Sequence, residues 1–260
     1  MQTITSIKNA KNKDKLVMIT AYDALFASLF DKRVDIILVG DSLNMSFNGQ
    51  KDTLNISVEN MIYHTKAVLQ GAKNTFVATD MPFGSYVDEK TALTNAIKIY
   101  QESGAHAVKL ECTKEKAHII KSLTQNSIAV IGHIGLMPQF VRLEGGYKIK
   151  GKDEKDTQKL IDDAKAVEDA GAFCVVVEGV MPEVAQKITQ AVSIPTIGIG
   201  AGSEVDGQVL VWSDMLGFFD DFKPKFVKRY LEGAALIRDA IDEYSKEVKN
   251  KKFPTSEFNY

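Results

Sequence analysis

The sequence predicts an α/β fold, a (β/α)8 barrel of the TIM type, on three observations. Apolar runs of strand length alternate with amphipathic stretches of helix length along the 260 residues, as expected for βα units around a parallel sheet. Most runs are rich in Val and Ile and nearly continuous, which is typical of strands buried on both faces. There are eight runs, and this number favours a closed barrel over an open doubly wound sheet.

The predicted strands occupy residues 16–20, 35–40, 75–79, 107–110, 128–131, 173–177, 196–199 and 209–212. The last run has the weakest pattern. Helices are predicted between the strands, at residues 58–70, 89–102, 157–170 and 183–191. Asp88 is a suitable N-cap for the second of these, and Pro182 suits the first turn of the fourth, where its missing N–H costs nothing.

The C-terminal region predicts a long helix over residues 225–247 and a short polar tail with little structure over residues 248–260. No Gly/Ser-rich linker or internal repeat interrupts the sequence. We therefore expect residues 1–260 to form a single domain, a size that suits a barrel of about 250 residues.

The composition excludes several functional classes. With 32 Lys and Arg against 34 Asp and Glu, the net charge is −2, so no basic field is expected to recruit nucleic acid or an anionic membrane. No apolar run approaches the roughly 18 residues of a membrane span, and the N-terminal residues lack the apolar segment of a secretory signal. Cys112 and Cys174 are far apart in apolar surroundings, which predicts buried, reduced thiols and a cytoplasmic location.

Five consecutive predicted strands are followed by, or end in, ionisable residues. In a parallel barrel all of these strand ends lie on the face that carries active sites. Unpartnered charges are costly to bury, so their concentration there indicates a functional site. The residues are Asp41, Asp80, Lys109 with Glu111, His133 and Glu178.

Asp41, Asp80 and Glu111 are hard oxygen donors, with no cysteine expected among them. This composition suits Mg²⁺, which takes carboxylates together with waters or substrate oxygens. Oxygen ligands alone do not decide between Mg²⁺, Mn²⁺, Co²⁺ and Zn²⁺. An alternative interpretation is that these acids cap the helices that follow the strands.

Three further residues have two interpretations each. Lys109, on the same side of its strand as Glu111, suits stabilisation of a substrate carboxylate or enolate, or pairs with a neighbouring acid without a role. His133 suits a hydrogen bond to a keto oxygen, or is a satisfied core histidine. Glu178 suits a general base at the barrel mouth, or caps the helix that begins near Pro182.

Two long connections, residues 41–57 and 133–156, are predicted to be binding loops or lids. In the second, residues 138–152 are expected to close over the site, with Gly145 and Gly146 as a possible hinge.

An ordered set of short motifs spans residues 4–244. The motifs are TAYD at 20–23, VGDSL at 39–43, YHT at 63–65, DMPF at 80–83, KLE at 109–111, GHIGLMPQ at 132–139, GGYK at 145–148 and IGIGAG at 197–202. In this order they resemble the ketopantoate hydroxymethyltransferase family. Each motif is weak alone, whereas the combination is specific.

The resemblance implies a barrel of the phosphoenolpyruvate/pyruvate superfamily type that transfers a hydroxymethyl group from 5,10-methylenetetrahydrofolate to 3-methyl-2-oxobutanoate, giving 2-dehydropantoate. It implies Mg²⁺ ligation by Asp41, Asp80 and Glu111, with Glu178 as proton acceptor. It also implies self-association as a homodecamer of two stacked pentamers. The residues implied to bind substrate are Asp41, Ser42, Asp80 and Lys109, with Tyr22 and His133 lining the same pocket.

Two residues depart from the family pattern: Asn44 stands where glycine is usual, and Cys112 where a small residue is usual. We expect them to affect loop geometry only. One alternative function is another Mg²⁺-dependent keto-acid lyase or mutase of the same barrel superfamily, although no Lys-Lys-Cys-Gly-like motif is present. Another is a non-catalytic scaffold barrel, although the metal acids and Glu178 are retained. Folate contacts and feedback regulation are not predicted.

Overall fold

The computed structural model describes residues 2–220 and 223–260. They divide into two compact units, residues 1–211 and residues 212–260. Within the described residues, no helix combines the length and apolar character that a bilayer crossing requires. The single domain expected over residues 1–260 stays a prediction.

The first unit is a closed parallel barrel, as predicted. Among the described residues, eight strands pair in sequence order and the eighth returns to the first. They are β1 (Leu16–Thr20), β2 (Ile36–Val39), β3 (Phe76–Asp80), β4 (Ala107–Glu111), β5 (Val130–Gly135), β6 (Cys174–Glu178), β7 (Thr196–Ile199) and β8 (Gly207–Leu210).

Helices connect the strands. In the first unit they are α1 (Ile4–Asn9), α2 (Ala24–Phe30), α3 (Leu43–Ser46), α4 (Val58–Gly71), α5 (Glu89–Ser103), α6 (Ala117–Gln125), α7 (Val141–Glu144), α8 (Glu154–Asp169) and α9 (Pro182–Ala191). The predicted ends of two helices are confirmed: the Asp88 side chain accepts from the Thr91 N–H at the start of α5, and Pro182 opens α9.

Two predicted strands have ends that are shifted by two or more residues. The fifth was expected at residues 128–131, but β5 extends to Gly135 because it pairs with the whole of β6. His133 therefore lies within a strand and not after it. The eighth was expected at residues 209–212, but β8 begins at Gly207, whose lack of a side chain permits close approach to β1 and β7.

Alternate residues of each strand face two different layers. One layer, inside the barrel, contains Phe76, Ala78, Ala107, Ile131 and Val176. The other lies between strands and helices, and includes neighbours of those residues in the sequence such as Val108, Val130 and Val175. Side chains alternate between the two faces along a strand. The inward-facing residues at the strand ends are therefore Asp80, Lys109, Glu111, His133 and Glu178.

The second unit contains α10 (Trp212–Met215) and α11 (Gly233–Lys249). The helix predicted over residues 225–247 was wrong at its start. The backbone N–H groups of Tyr230, Gly233 and Ala234 donate to carbonyls of residues 215–217, so α11 begins only at Gly233.

The tail is also more structured than predicted. It contains a 3₁₀ turn at Ser256–Phe258, and the Phe253 ring lies 5.7 Å from the ring of Tyr244, measured between centroids.

Candidate active site

The predicted site residues meet at the carboxyl end of the barrel because strand register makes them neighbours. Asp80 is the partner of Lys109 across β3 and β4. Glu111 is the partner of His133 across β4 and β5. Glu178 ends β6 two residues beyond the partner of His133. All of these side chains are buried except that of Glu178, which is about one-fifth exposed.

Asp41, Asp80 and Lys109 form the first part of the site. Asp80 Oδ2 accepts from the backbone N–H of Asp41 at 3.0 Å, and Asp80 Oδ1 lies 2.8 Å from Lys109 Nζ. Although that ion pair is close, Asp80 Oδ1 has no hydrogen bond of good geometry among the described residues. One buried carboxylate oxygen is thus left with spare capacity for a ligand.

His133 joins Lys109 to the proposed base. Its Nδ1 lies 3.2 Å from Lys109 Nζ, and its Nε2 lies 3.2 Å from Glu178 Oε2. Burial and the charge of Lys109 lower the pKa of His133, so the imidazole is neutral near pH 7. Because Nδ1 faces an ammonium donor, the imidazole proton belongs on Nε2, toward Glu178.

At the carboxyl end of the barrel, the buried acids carry more negative charge than the Lys109 ammonium balances. Burial and the neighbouring charge of Asp80 raise the pKa of Asp41 to about 7. Burial and the charge of Asp41 raise the pKa of Glu111 well above its ordinary value. Burial opposes the charge of Lys109, yet the carboxylates around it outweigh burial and raise its pKa. A bound cation would relieve this surplus.

The helix-capping interpretation of the acids is wrong. The helices that follow β2, β3, β4 and β6 have other N-cap residues, and α5 alone among them has a side-chain cap, from Asp88. The residues at those N-caps are Ser42, Asp88, Lys116 and Met181.

Tyr22 and Ser42 are brought together at the edge of this cluster. Their hydroxyl oxygens lie 2.9 Å apart, and Ser42 directly follows Asp41. Gly135 supports the neighbouring wall. It has a φ of 95°, and a Cβ there would lie 2.3 Å from the carbonyl oxygen of Glu178, so only glycine allows β5 to end so close to the Glu178 backbone.

Gln139 and Tyr86 are site residues to which the sequence assigned no role. Gln139 is buried and donates from Nε2 to Asp41 Oδ2 at 2.8 Å, and Tyr86 donates to Gln139 Oε1. The motif at residues 132–139 contains Gln139. The Gln139 side chain points toward the acids only because of the path of the loop after β5, which the motif does not reveal.

The three acids do not form a ready-made cation site. Among residues 2–220 and 223–260, no group of three or more His, Cys, Asp or Glu side chains is placed to hold a metal ion. The Gln139 amide and backbone N–H instead contact Asp41 and Glu111. The donor chemistry nevertheless fits a hard cation: the acids are close neighbours, they carry surplus charge, and Asp80 Oδ1 has an ion pair with Lys109 but no hydrogen bond of good geometry among the described residues.

The two departures from the family pattern leave the site intact. Asn44 lies in α3 and does not have the positive φ that would favour glycine, and its Nδ2 donates to the Asp52 carbonyl at 2.7 Å. Cys112 faces the layer between strands and helices, away from the side chain of Glu111. Cys112 and Cys174 are both buried and free, as expected.

Solved structures of known proteins share this fold. Phosphonopyruvate hydrolase in complex with oxalate and Mg²⁺ has a TM-score of 0.64 at 12% identity, covering 98% of this chain and 89% of its own. 2,3-Dimethylmalate lyase, a PEP mutase/isocitrate lyase superfamily member, has a TM-score of 0.60 at 19% identity, covering 100% and 92%. At these identities the likeness shows the fold alone, a closed (β/α)8 barrel.

Sequence relatives are much closer. The family model described as ketopantoate hydroxymethyltransferase matches residues 1–256. The 3-methyl-2-oxobutanoate hydroxymethyltransferase of Aliarcobacter butzleri is 62% identical over 257 residues, covering 99% of this chain and 96% of the relative. That of Helicobacter pylori (strain 26695) is 60% identical over 258 residues, covering 99% and 96%. The chain therefore belongs to the ketopantoate hydroxymethyltransferase family of enzymes.

Proposed function

We propose that this enzyme transfers a hydroxymethyl group from 5,10-methylenetetrahydrofolate to 3-methyl-2-oxobutanoate, giving 2-dehydropantoate for pantothenate biosynthesis. The observation that carries the proposal is the contact of Glu178 with the buried network of Lys109 and His133 at the barrel mouth. Family membership supplies the reaction class.

Asp41, Asp80 and Glu111 would hold a Mg²⁺ ion. When bound, the cation supplies Lewis acidity toward the carboxylate and keto oxygens of the substrate. Burial and the neighbouring acids raise the pKa of Asp41 and of Glu111 in the protein alone, and the charge of the cation would offset both effects.

Glu178 is the proposed base. It removes the proton from C3 of the keto acid, and the electron pair of that C–H bond passes into the enolate. Lys109 and His133 stabilise charge on the substrate oxygens, while Tyr22 and Ser42 border the pocket. C3 then bonds to the methylene carbon of the folate as the first of its two C–N bonds breaks, and the released nitrogen takes the proton held by Glu178. The oxygen of a water, which becomes the new hydroxyl, bonds to the same carbon as the second C–N bond breaks. A proton of that water passes to the second nitrogen, and tetrahydrofolate leaves.

Proton exchange tests the chemistry and the substrate together. We expect 3-methyl-2-oxobutanoate in D₂O to lose its C3 proton signal in NMR when enzyme and Mg²⁺ are present, and Glu178→Gln to abolish that loss. Glu183→Gln, an exposed acid on α9, is the matched control and should exchange at the wild-type rate. Wild-type exchange by Glu178→Gln would remove Glu178 as the base.

The same experiment distinguishes the proposed function from the alternative, a lyase or mutase that acts on another keto acid. If the wild type shows no exchange even with tetrahydrofolate present, the alternative gains support. The fold likeness to such enzymes does not favour it, because it stands at 12–19% identity.

We also propose a cytoplasmic enzyme that assembles as a homodecamer. The reduced, buried Cys112 and Cys174 support the compartment. Exposed apolar residues on α11, at a spacing of three or four, support self-association; they are Ile237, Ile241, Tyr244 and Val248. Light scattering should give the mass of ten chains, and Ile241→Glu should lower it. The mass of a single chain for the wild type would contradict the assembly.

A further inference from the structure

Gln139 contacts two of the three proposed metal ligands at once. Its side-chain Nε2 donates to Asp41 Oδ2 at 2.8 Å, and its backbone N–H donates to both carboxylate oxygens of Glu111, at 3.1 and 3.3 Å. The backbone N–H is free to do so because Gln139 lies in the first turn of the 3₁₀ helix Pro138–Phe140, where N–H groups have no partner within the helix. One residue thus fixes the relative position of two acids from different strand ends.

The side-chain amide has a defined orientation. Its second N–H is directed to the Met81 carbonyl at 3.0 Å, and its Oε1 accepts from the Tyr86 hydroxyl at 2.5 Å. A flipped amide would turn Oε1 toward the Asp41 carboxylate and Nε2 toward the Tyr86 hydroxyl. Because a carboxylate only accepts, the flip would place two acceptors together. Tyr86 and Gln139 are both buried, so water does not readily replace these contacts.

The residue type suits a position beside a cation. A lysine here would neutralise Asp41 and compete with the ion, and a glutamate would repel Asp41 and Glu111. A neutral amide orients a carboxylate and leaves its charge available. Groups that orient metal ligands in this way typically change metal affinity by about 10–100-fold when they are removed.

We propose that Gln139, oriented by Tyr86, is the positioning residue that holds Asp41 and Glu111 in place for a divalent cation. This inference rests on the proposed function, which assigns the cation to these acids. Gln139 makes its contacts through the ligands and takes no part in bond making.

The test is cation affinity in the absence of substrates, measured with Mn²⁺ by EPR and with Mg²⁺ by competition. We expect Gln139→Met to raise the Mn²⁺ Kd by about 10–100-fold. Tyr86→Phe should raise it by a smaller factor, because the amide remains but loses its orientation. Tyr100→Phe is the matched control: its hydroxyl donates to the His106 carbonyl at the other end of the barrel, and its loss should leave the Kd unchanged.

The outcomes separate the two proposals. If the wild type binds no Mn²⁺, or if Asp41→Asn binds it as well as the wild type, the metal site itself is wrong. If Asp41→Asn loses binding while Gln139→Met and Tyr86→Phe keep the wild-type Kd, only the positioning role is overturned. If Gln139→Met lowers the Tm but leaves the Mn²⁺ Kd unchanged, the contacts of Gln139 are purely structural and the positioning role is likewise overturned. Should Gln139→Met not fold, Tyr86→Phe alone decides.

Discussion

The two ends of the barrel each bury aspartate, and they treat it in opposite ways. At the amino end, Asp206 accepts from Lys11 Nζ at 2.8 Å, from the Asn12 N–H at 3.1 Å and from the Thr196 N–H at 2.9 Å. Burial raises its pKa, but the hydrogen bond from Lys11 and the backbone N–H groups outweigh burial and lower it overall. At the carboxyl end, the pKa of Asp41 rises to about 7.

The difference shows what each end is built for. Asp206 is fully partnered by the chain, so its ionised form helps to hold α1, β7 and β8 together. Asp41 shares a single lysine with other buried acids, so its ionised form is unfavourable until something else supplies positive charge. A surplus of this kind costs stability and is typical of functional sites.

Of the substitutions that compare the two ends, Asp41→Asn should have the largest effect on activity. We expect the rate of C3 proton exchange to fall by about 10²–10³-fold, because electrostatic stabilisation of the developing charge is lost. The free energy of unfolding without metal should not fall, because the change removes a repelled charge. NMR exchange and urea denaturation measure the two effects, and a marked loss of stability would show that Asp41 is as structural as Asp206.

Asp206→Asn is the same substitution at the amino end of the barrel, and it should lower stability while leaving activity nearly unchanged. The free energy of unfolding should fall by about 3 kcal/mol, because Lys11 would keep a buried charge without its acid. Proton exchange should stay near the wild-type rate in the folded fraction. Adding Lys11→Met should recover part of the loss, and a fully additive double variant would show that Lys11 and Asp206 are not coupled.

The pH dependence of that loss follows from the direction of the shift. The folded pKa of Asp206 lies below its ordinary value of 3.8, so the unfolded chain binds more protons between the two values. The stability from ionised Asp206 is therefore complete above the ordinary pKa and disappears as pH falls through the folded pKa. Urea denaturation should show wild type and Asp206→Asn converging only at acid pH. Convergence near neutrality would contradict a lowered pKa.

The site acids were predictable from sequence because a barrel strand has only two faces. A residue at the carboxyl end of a strand, in step with the apolar inward positions, must reach the mouth. Asp80, Glu111 and Glu178 are placed by that rule alone. Strand register then decides which of them touch, and the pairs Asp80–Lys109 and Glu111–His133 follow from it.

Gln139 and Tyr86 could not be placed in this way. Both follow strands in irregular connections, where no periodicity fixes the direction of a side chain. The predicted start of α11 was wrong for a related reason. Backbone N–H groups of residues 230–234 donate to carbonyls of residues 215–217, and the local helical pattern does not reveal these hydrogen bonds between distant segments. Sequence reasoning was reliable where one period governed the backbone and failed where distant backbone segments met.

Arg142→Gln should have the smallest effect on the free energy of unfolding. It tests whether burial or ion pairing is the reason that Asp206 stabilises the fold and Asp41 does not. Arg142 Nη2 lies 2.9 Å from Asp52 Oδ2, and the arginine side chain is 73% exposed. Water already stabilises the guanidinium, and the Asp52 carboxylate, although only 19% exposed, keeps the hydrogen bond from the Leu54 N–H at 3.1 Å. Pairs with an exposed partner contribute little, so urea denaturation should not resolve the change. The pair does connect two long loops, so cleavage within residues 138–152 by a protease should become faster. A loss of stability like that of Asp206→Asn would show that pairing matters without burial, and the contrast between the two ends would then need another cause.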